Sequence, residues 1–445
     1  MKKTVVALID GEHYPPVIKE ALDKLKDDPE YDLKGAVFLG GTEKIRDDGA
    51  MSDLGVPVIA ESEAVAGLRK AIDAYHPDVF IDLSDEPVVG YKQRFEYACL
   101  ALSHGVAYTG TDFHFSPPIF EDIVQKPSIS IIGTGKRCGK TAVSAYVCRE
   151  LDKRGFDPCI IAMGRGGPEK PEVLHGKTLE MTPEFLLGAS RAGRHAASDH
   201  YEDALTSRIT TVGCRRCGGG MAGSPYVTNV PDGARTANGL SEKFLVFEGS
   251  GAAIPPVKTD GYILIAGAWQ PEEYITGYFG PYRIFLSELV ILTMCEGEDA
   301  PEDKIRRLEQ GIKKVRPGID VVRTVFRPRP LEDVRGKRVF LATTAPVAAG
   351  KVIGDYLASE EGCEVAGISH NLSNRKLLKE DLTKAGGAYD ILLVELKAAA
   401  VDVATEAALD EGKRVVYVDN IPVTVGGDGD LAELAVGLAD RARQK

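Results

Sequence analysis

Short runs of β-branched residues alternate with longer helical patterns along almost the whole chain of 445 residues. Such alternation is typical of strand–helix–strand units, in which a helix carries the chain from one strand to a parallel neighbour. The sequence therefore predicts an α/β fold with a mainly parallel sheet. At about 150 residues per domain, the length predicts roughly three domains, or two of which one is large.

Three blocks follow from this pattern. Residues 1–124 read as a Rossmann-like α/β domain, and Pro117-Pro118 precedes its end. Residues 125–330 form the second block, which opens on an apolar strand. Residues 331–445 contain further α/β units, which either form a separate domain or continue the sheet of the second block.

Charge and apolar patterning exclude several classes of protein. Lys and Arg total 54 and Asp and Glu total 66, which gives a formal net charge of −12. An acidic chain is a poor candidate for binding nucleic acid or membrane surfaces, because both are anionic. No apolar stretch approaches the roughly 18 residues of a membrane-spanning helix. Eight scattered cysteines favour reduced thiols, so we expect a cytoplasmic protein.

The segment 133–141, Gly-Thr-Gly-Lys-Arg-Cys-Gly-Lys-Thr, lies between a predicted strand at 128–132 and a predicted helix at 142–154. A phosphate-binding loop needs inward-pointing amides, a Lys that reaches the β- and γ-phosphates, and a hydroxyl for Mg²⁺. The usual pattern has Gly six residues before the Lys, where this chain has Thr134. We predict a P-loop that binds ATP. The residues expected to contact the nucleotide are Gly133, Thr134, Gly135, Cys138, Gly139, Lys140, Thr141 and Ala142.

Charged residues in and near this loop have predicted catalytic roles. Lys140, Lys136 and Arg137 would stabilise the negative charge of a transferring phosphoryl group. Thr141 and Glu248 would hold Mg²⁺, because Glu248 follows an apolar strand at 244–247 and precedes Gly-Ser-Gly. Asp260 is a weaker candidate for the metal.

Arginines in glycine-rich segments are predicted to bind phosphate groups. Arg165 lies in Gly-Arg-Gly-Gly, and Arg215 and Arg216 lie in a predicted loop at 213–223. Arg offers planar, bidentate donors to phosphate, and glycine lets the backbone approach an anion. The alternative is a mobile surface loop with solvated charges.

Polar turns follow three strands of the first block, at 10–13, 40–43 and 84–87. Ligands of parallel sheets bind beyond the carboxyl ends of strands, so these turns are expected to converge on one crevice. Asp10, Glu12 and His13 are the candidate substrate-binding residues. The alternative is that these side chains only cap turns and helices.

Four segments together resemble the cyclic 2,3-diphosphoglycerate synthetase family: Asp-Gly-Glu-His-Tyr-Pro-Pro at 10–16, Gly-Gly-Thr-Glu-Lys at 40–44, the P-loop at 133–141, and Cys-Arg-Arg-Cys-Gly-Gly-Gly-Met-Ala-Gly at 214–223. The P-loop register and Glu-Gly-Ser-Gly also resemble dethiobiotin synthetase. The family resemblance implies a ligase that converts ATP and 2,3-diphosphoglycerate to cyclic 2,3-diphosphoglycerate, ADP and phosphate, with Mg²⁺. We also expect K⁺ and a homodimer.

Two other functions compete with this one. The first is a dethiobiotin synthetase-like ligase or kinase that acts on another small acid, although a monocarboxylate would not need two Arg-bearing glycine loops. The second is a nucleotide-switch ATPase of the partitioning type. Those switches have a signature Lys five residues before the second Lys of the loop, where this chain has Gly135.

Overall fold

A computed structural model describes residues 2–41 and 54–445. Thr42 and Glu43 of the predicted turn at 40–43 lie outside the described residues. The chain divides into two compact units. The N-terminal unit comprises Met1–Pro118 and Pro271–Leu286, and the P-loop unit comprises Ile119–Gln270 and Ser287–Lys445. The three-domain division of the sequence stays a prediction.

The strands of the described residues, in chain order, are β1 (Lys3–Ile9), β2 (Tyr31–Phe38), β3 (Val58–Ala60), β4 (Val79–Asp82), β5 (Ala107–Thr109), β6 (His114–Phe115), β7 (Ser128–Gly133), β8 (Pro158–Gly164), β9 (Glu172–His175), β10 (Thr210–Cys217), β11 (Val227–Thr228), β12 (Phe244–Glu248), β13 (Gly261–Gly267), β14 (Leu289–Thr293), β15 (Asp320–Pro330), β16 (Arg338–Ala342), β17 (Glu364–Ser369), β18 (Ile391–Glu395) and β19 (Arg414–Gly427).

The α-helices are α1 (Pro15–Asp27), α2 (Ala64–Tyr75), α3 (Tyr91–Ser103), α4 (Lys140–Lys153), α5 (Pro183–Arg191), α6 (Asp199–Ser207), α7 (Val230–Asn238), α8 (Glu273–Thr276), α9 (Gly280–Leu286), α10 (Glu302–Val315), α11 (Gly350–Ser359), α12 (Arg375–Ala385), α13 (Glu406–Asp410) and α14 (Leu431–Arg443). Short 3₁₀ turns lie at Val347–Ala349 and Gly386–Ala388, and a π-helical turn lies at Ala400–Thr405. Among residues 2–41 and 54–445, every helix is too short or too polar to span a lipid bilayer.

The sheet of the N-terminal unit has the order β3-β2-β1-β4-β5-β6 in the described part of the chain. β1 lies between β2 and β4 and is parallel to both. Its residues Val5–Ile9 are buried because both faces of a central parallel strand are covered by helices. Only β6 pairs in the antiparallel direction. The prediction of a Rossmann-like α/β arrangement is confirmed.

The sheet of the P-loop unit follows the order β11-β10-β8-β12-β7-β13-β14-β15-β19-β18-β16-β17. The strands from β10 to β15 are parallel, with β7 at the centre, so the predicted mainly parallel sheet is confirmed. β19 then pairs with β15 in the antiparallel direction, from Val322 opposite Gly427 to Pro330 opposite Val418. Through this pair, the strands of residues 331–445 continue the same sheet.

The predicted loop at 213–223 is wrong in its first half. Residues 213–217 belong to β10, which pairs in parallel with β8. Gly213 has no side chain, and this leaves room for the ring of His200 beside the strand. A Cβ at position 213 would lie only 2.6 Å from His200 Cγ. Glycine is otherwise weak in strands, and no local pattern in the sequence reveals this contact.

The C-terminal strands pack against the helices that follow the P-loop. One buried cluster joins Leu186 of α5 and Ala204 of α6 to Leu392 of β18 and Tyr417 of β19. A second cluster joins Val143 of α4 to the central strands and α14. Residues of β18 and β19 therefore lie beside α5 and α6, and β19 also contacts α4.

A buried ion pair joins α4 to β19, and its loss should destabilise the unit. Arg149 Nη2 lies 2.9 Å from Asp419 Oδ2, with side chains 15% and 2% exposed. Without Arg149, the buried carboxylate keeps only Arg329, whose Nη2 lies 3.5 Å from the same oxygen, so the loss should lie at the lower end of the range of about 3–5 kcal/mol for a broken buried pair. We expect Arg149→Met to lower the free energy of unfolding by about 3 kcal/mol in urea titrations. Adding Asp419→Asn should restore part of the loss, and additive losses would contradict the pairing.

Candidate functional site

The predicted P-loop is the turn between β7 and α4. β7 is buried along its whole length, since it runs between β12 and β13. The turn ends at Gly139, whose φ of 83° is left-handed, and a side chain there would collide with the ring of Phe326. Glycine is therefore required where the loop enters the helix. α4 accordingly begins at Lys140, two residues before the predicted start.

Lys140 folds back over the loop that precedes it. Its Nζ donates to Gly135 O at 2.9 Å, and a Cβ at Gly133 would lie 2.8 Å from Lys140 Cδ. Burial lowers the pKa of Lys140, while Cys138 and Glu248 oppose that shift. The ammonium group is poorly solvated inside the loop, where a phosphate oxygen is a favourable partner.

Two residues that the sequence analysis missed fix the loop. Gln270 follows β13 and is buried, and its Oε1 accepts hydrogen bonds from Thr134 Oγ1 at 2.5 Å and Gly267 N at 3.1 Å. At the end of β14, Thr293 Oγ1 donates to Cys138 O at 2.7 Å. Neither residue belongs to a motif, because each meets the loop only through the pairing of neighbouring strands.

Thr141 and Glu248 come together as predicted for a metal site. Thr141 Oγ1 donates to Glu248 Oε1 at 2.8 Å. Glu248 is 2% exposed, and its Oε2 is buried with no donor from the chain. Burial raises the pKa of Glu248 above its usual value, while the adjacent Asp203 carboxyl and the Thr141 hydroxyl favour its charged form. A hydroxyl beside an unpartnered carboxylate oxygen fits Mg²⁺, which prefers oxygen ligands.

Three acidic residues of α6, which the sequence analysis did not single out, surround Glu248. Asp203 is fully buried, and neither of its oxygens accepts a hydrogen bond from a donor. Burial and the Glu248 carboxylate raise the pKa of Asp203 well above its usual value. Burial also raises the pKa of Glu202 to about 8, although Lys397 opposes this shift. Asp199, one turn earlier, interacts electrostatically with Lys140, Glu248 and Lys397.

The weaker metal candidate, Asp260, lies at the other end of the central strand. Its Oδ2 accepts a hydrogen bond at 2.9 Å from the backbone N–H of Ser128, the first residue of β7. The P-loop follows the last residue of β7. Within the described ranges, no three His, Cys, Asp or Glu side chains are grouped so that they alone could hold a metal ion.

Arg165 and Arg216 meet at the turn that follows Glu248. A Cβ at Gly251 would lie 2.8 Å from Arg165 Nη2 and 3.3 Å from Arg216 Nη2. Arg216 donates to Ser250 O at 2.7 Å and Gly218 O at 2.8 Å, and its Nε is buried with no partner. Burial and the nearby Arg165 lower the pKa of Arg216. Two adjacent guanidinium groups need an anion between or beside them, which fits a phosphate.

Arg215 and Arg216 lie on opposite faces of β10, because successive side chains of a strand alternate. The side chain of Arg215 is exposed, and its backbone N–H donates to Asn229 Oδ1 at 2.7 Å. Lys136 and Arg137 are exposed on the P-loop itself, where Arg137 has a left-handed φ of 62°. The roles assigned to these three residues stay predictions.

The N-terminal unit has a crevice of its own at the carboxyl ends of β1 and β4. A cavity of about 410 Å³ is lined by Asp10, His13 and Arg94, among others. Asp10 is buried and accepts hydrogen bonds from Glu12 N at 2.9 Å, His13 Nδ1 at 2.9 Å and Asp85 N at 2.6 Å. The turns at 10–13 and 84–87 therefore converge, and Asp10 orders both.

Comparison with known proteins matches three successive parts of the chain to the domains of one family. Residues 4–116 match the N-terminal domain of cyclic 2,3-diphosphoglycerate synthetase, residues 128–325 match its P-loop domain, and residues 330–421 match its C-terminal domain. A crystal structure of LpxK from Aquifex aeolicus with ATP is 14% identical, with a TM-score of 0.42, and covers 73% of this chain and 90% of that chain.

Curated relatives are similar over nearly their full length. The cyclic 2,3-diphosphoglycerate synthetase of Rubrobacter xylanophilus is 51% identical and covers 96% of both chains. Those of Methanothermus fervidus and Methanothermobacter thermautotrophicus are 51% and 48% identical, each over 99% of this chain and 97% of its own. The resemblance seen in the motifs is confirmed, and the chain belongs to the cyclic 2,3-diphosphoglycerate synthetase family.

Proposed function

We propose that the chain is an ATP-dependent ligase that closes a phosphoanhydride ring in 2,3-diphosphoglycerate, giving cyclic 2,3-diphosphoglycerate, ADP and phosphate. The observation that carries this proposal is the meeting of Arg165 and Arg216 at the turn after β12, where Arg165 also acts electrostatically on Lys140, next to the Thr141–Glu248 pair. Relatives that bear this enzyme name match the chain nearly end to end.

The reaction requires two phosphoryl steps. An oxygen of one substrate phosphate attacks the γ-phosphorus of ATP, the bond to the β–γ bridging oxygen breaks, and ADP leaves. The second substrate phosphate then attacks the phosphorus of the first, which forms the ring anhydride and expels inorganic phosphate. Holding both groups close together supplies the entropic advantage of an intramolecular reaction.

The chain's own residues would bind and neutralise the phosphates. Lys140 would bind the β- and γ-phosphates of ATP, and Lys136 and Arg137 would stabilise the transferring group. Thr141 and Glu248 would hold Mg²⁺, which when bound supplies positive charge beside the phosphates.

The substrate would be held by the residues expected from the sequence. Arg165, Arg215 and Arg216 would bind diphosphoglycerate phosphates in the P-loop unit, and Asp10, Glu12 and His13 would contact substrate in the crevice of the N-terminal unit. Arg165 and Arg216 have the strongest support, because their guanidinium groups lie together. K⁺, a homodimer and a cytoplasmic location are further parts of the proposal.

Phosphorus NMR tests the reaction. Wild-type protein with Mg-ATP and 2,3-diphosphoglycerate should give new resonances in the pyrophosphate region together with ADP. Lys140→Ala should slow this turnover at least about a hundredfold, because a preorganised charge on the phosphates is lost. ADP formation without a cyclic product would instead favour a ligase or kinase acting on another acid, and full turnover by Lys140→Ala would contradict the site.

The arginine pair gives a second prediction. Arg216→Gln should raise the KM for 2,3-diphosphoglycerate about tenfold or more while the KM for ATP changes little, because one bidentate phosphate partner is lost. Arg235→Gln is a matched control, since Arg235 pairs with Asp232 and Glu121 on the surface of the same unit. Steady-state kinetics would compare the KM for 2,3-diphosphoglycerate of the two variants, and equal increases would rule out a specific role for Arg216.

A further inference from the structure

Lys397 is a partly buried lysine to which the proposed function assigns no role. It follows the last residue of β18 by two positions, and its side chain is 31% exposed. Its Nζ lies 3.2 Å from Glu202 Oε1 on α6. Residues 331–445 thus supply a positive charge to the helix that carries Asp199 and Asp203.

The turn that presents Lys397 is held rigidly. Glu395, at the end of β18, accepts hydrogen bonds from Thr343 Oγ1 at 2.8 Å, from Thr344 N at 3.0 Å and from Asn420 Nδ2 at 2.9 Å. The backbone N–H of Lys397 donates to Glu395 O at 2.8 Å. Burial opposes the charge of Glu395, and Lys397 together with these neutral donors holds the pKa of Glu395 below its usual value.

Lys397 shares its electrostatic surroundings with the P-loop. Burial opposes its charge, but Glu202, Glu395 and Asp199 together hold the pKa of Lys397 above its usual value. Asp199 also interacts with Lys140, Arg216 and Glu248. An ammonium group has three donors, and Glu202 is the one carboxylate that the described residues place within 4 Å of Nζ.

We propose that Lys397 binds a phosphate group of the diphosphorylated substrate, as a residue of the active site that the C-terminal part of the chain contributes. Its partly exposed ammonium group would bond a phosphate oxygen in addition to, or in place of, Glu202. This inference rests on the proposed function for the identity of the substrate. It also gives the C-terminal strands a role, because β18 and the Glu395 network position the cation.

Binding of 2,3-diphosphoglycerate to the full chain saturated with Mg-ADP tests the proposal by calorimetry. Lys397→Met should weaken the Kd about tenfold or more, and Lys397→Arg should recover most of the affinity because the charge is kept. Lys351→Met is the control: Lys351 lies in the same C-terminal part of the chain and pairs with the exposed Asp355, so its loss should leave the Kd unchanged.

A double variant separates phosphate binding from a purely structural ion pair. Lys397→Met leaves the buried Glu202 carboxyl without its partner, and adding Glu202→Gln replaces that carboxyl with a neutral amide, so the melting temperature should return toward wild type. The double variant should still bind the substrate weakly. Wild-type affinity in the double variant or in Lys397→Met would overturn the proposal, as would a wild-type chain that does not bind 2,3-diphosphoglycerate. Tight binding without a cyclic product would refute the ring-closing function and leave the role of Lys397 standing.

Discussion

The site depends on one buried carboxylate, Glu248, whose only hydroxyl donor is Thr141 Oγ1 at 2.8 Å among the contacts described. Its second oxygen is buried with no donor, and the equally buried Asp203 lies beside it. Two such carboxylates are costly to keep ionised in a protein interior unless cations compensate them. Lys140 supplies one cation, and a bound divalent ion would supply the rest. The charges that make these buried carboxylates costly are also those that would be compensated by Mg²⁺ under the proposed function.

The parallel sheet explains how residues far apart in the sequence come to lie near Glu248. β7, β8 and β12 are neighbours, so Lys140, Arg165 and Glu248 follow the carboxyl ends of adjacent strands, where α/β sheets bind their ligands. β10 brings Arg216 to the same edge. The antiparallel pair of β15 and β19 then turns the C-terminal strands against α4 and α6, which places Lys397 beside Glu202. The proposed phosphate site thus draws on residues from both ends of the P-loop unit.

The sequence predicted the parts of the site that local chemistry determines. Gly139, Lys140 and Thr141 are recognisable because a phosphate loop needs these residue types in this order, and Glu248 is recognisable because it ends an apolar strand. Gln270, Asp203 and Lys397 could not be predicted, because each acquires its role from packing between elements far apart in the chain. Successive side chains of β10 point to opposite faces of the sheet, which places Arg215 and Arg216 on different faces. This difference can be predicted only once residues 213–217 are known to form a strand.

The effect of Mg²⁺ on ADP affinity tests most directly whether Glu248 serves a metal. In calorimetric titrations of the wild-type chain, Mg²⁺ should strengthen ADP binding about tenfold or more relative to EDTA. In Glu248→Gln the effect of Mg²⁺ should largely disappear, while binding in EDTA should be equal or tighter, because a buried negative charge near the phosphates has been removed. A Glu248→Gln chain that keeps the full Mg²⁺ effect would contradict the central role of this carboxylate.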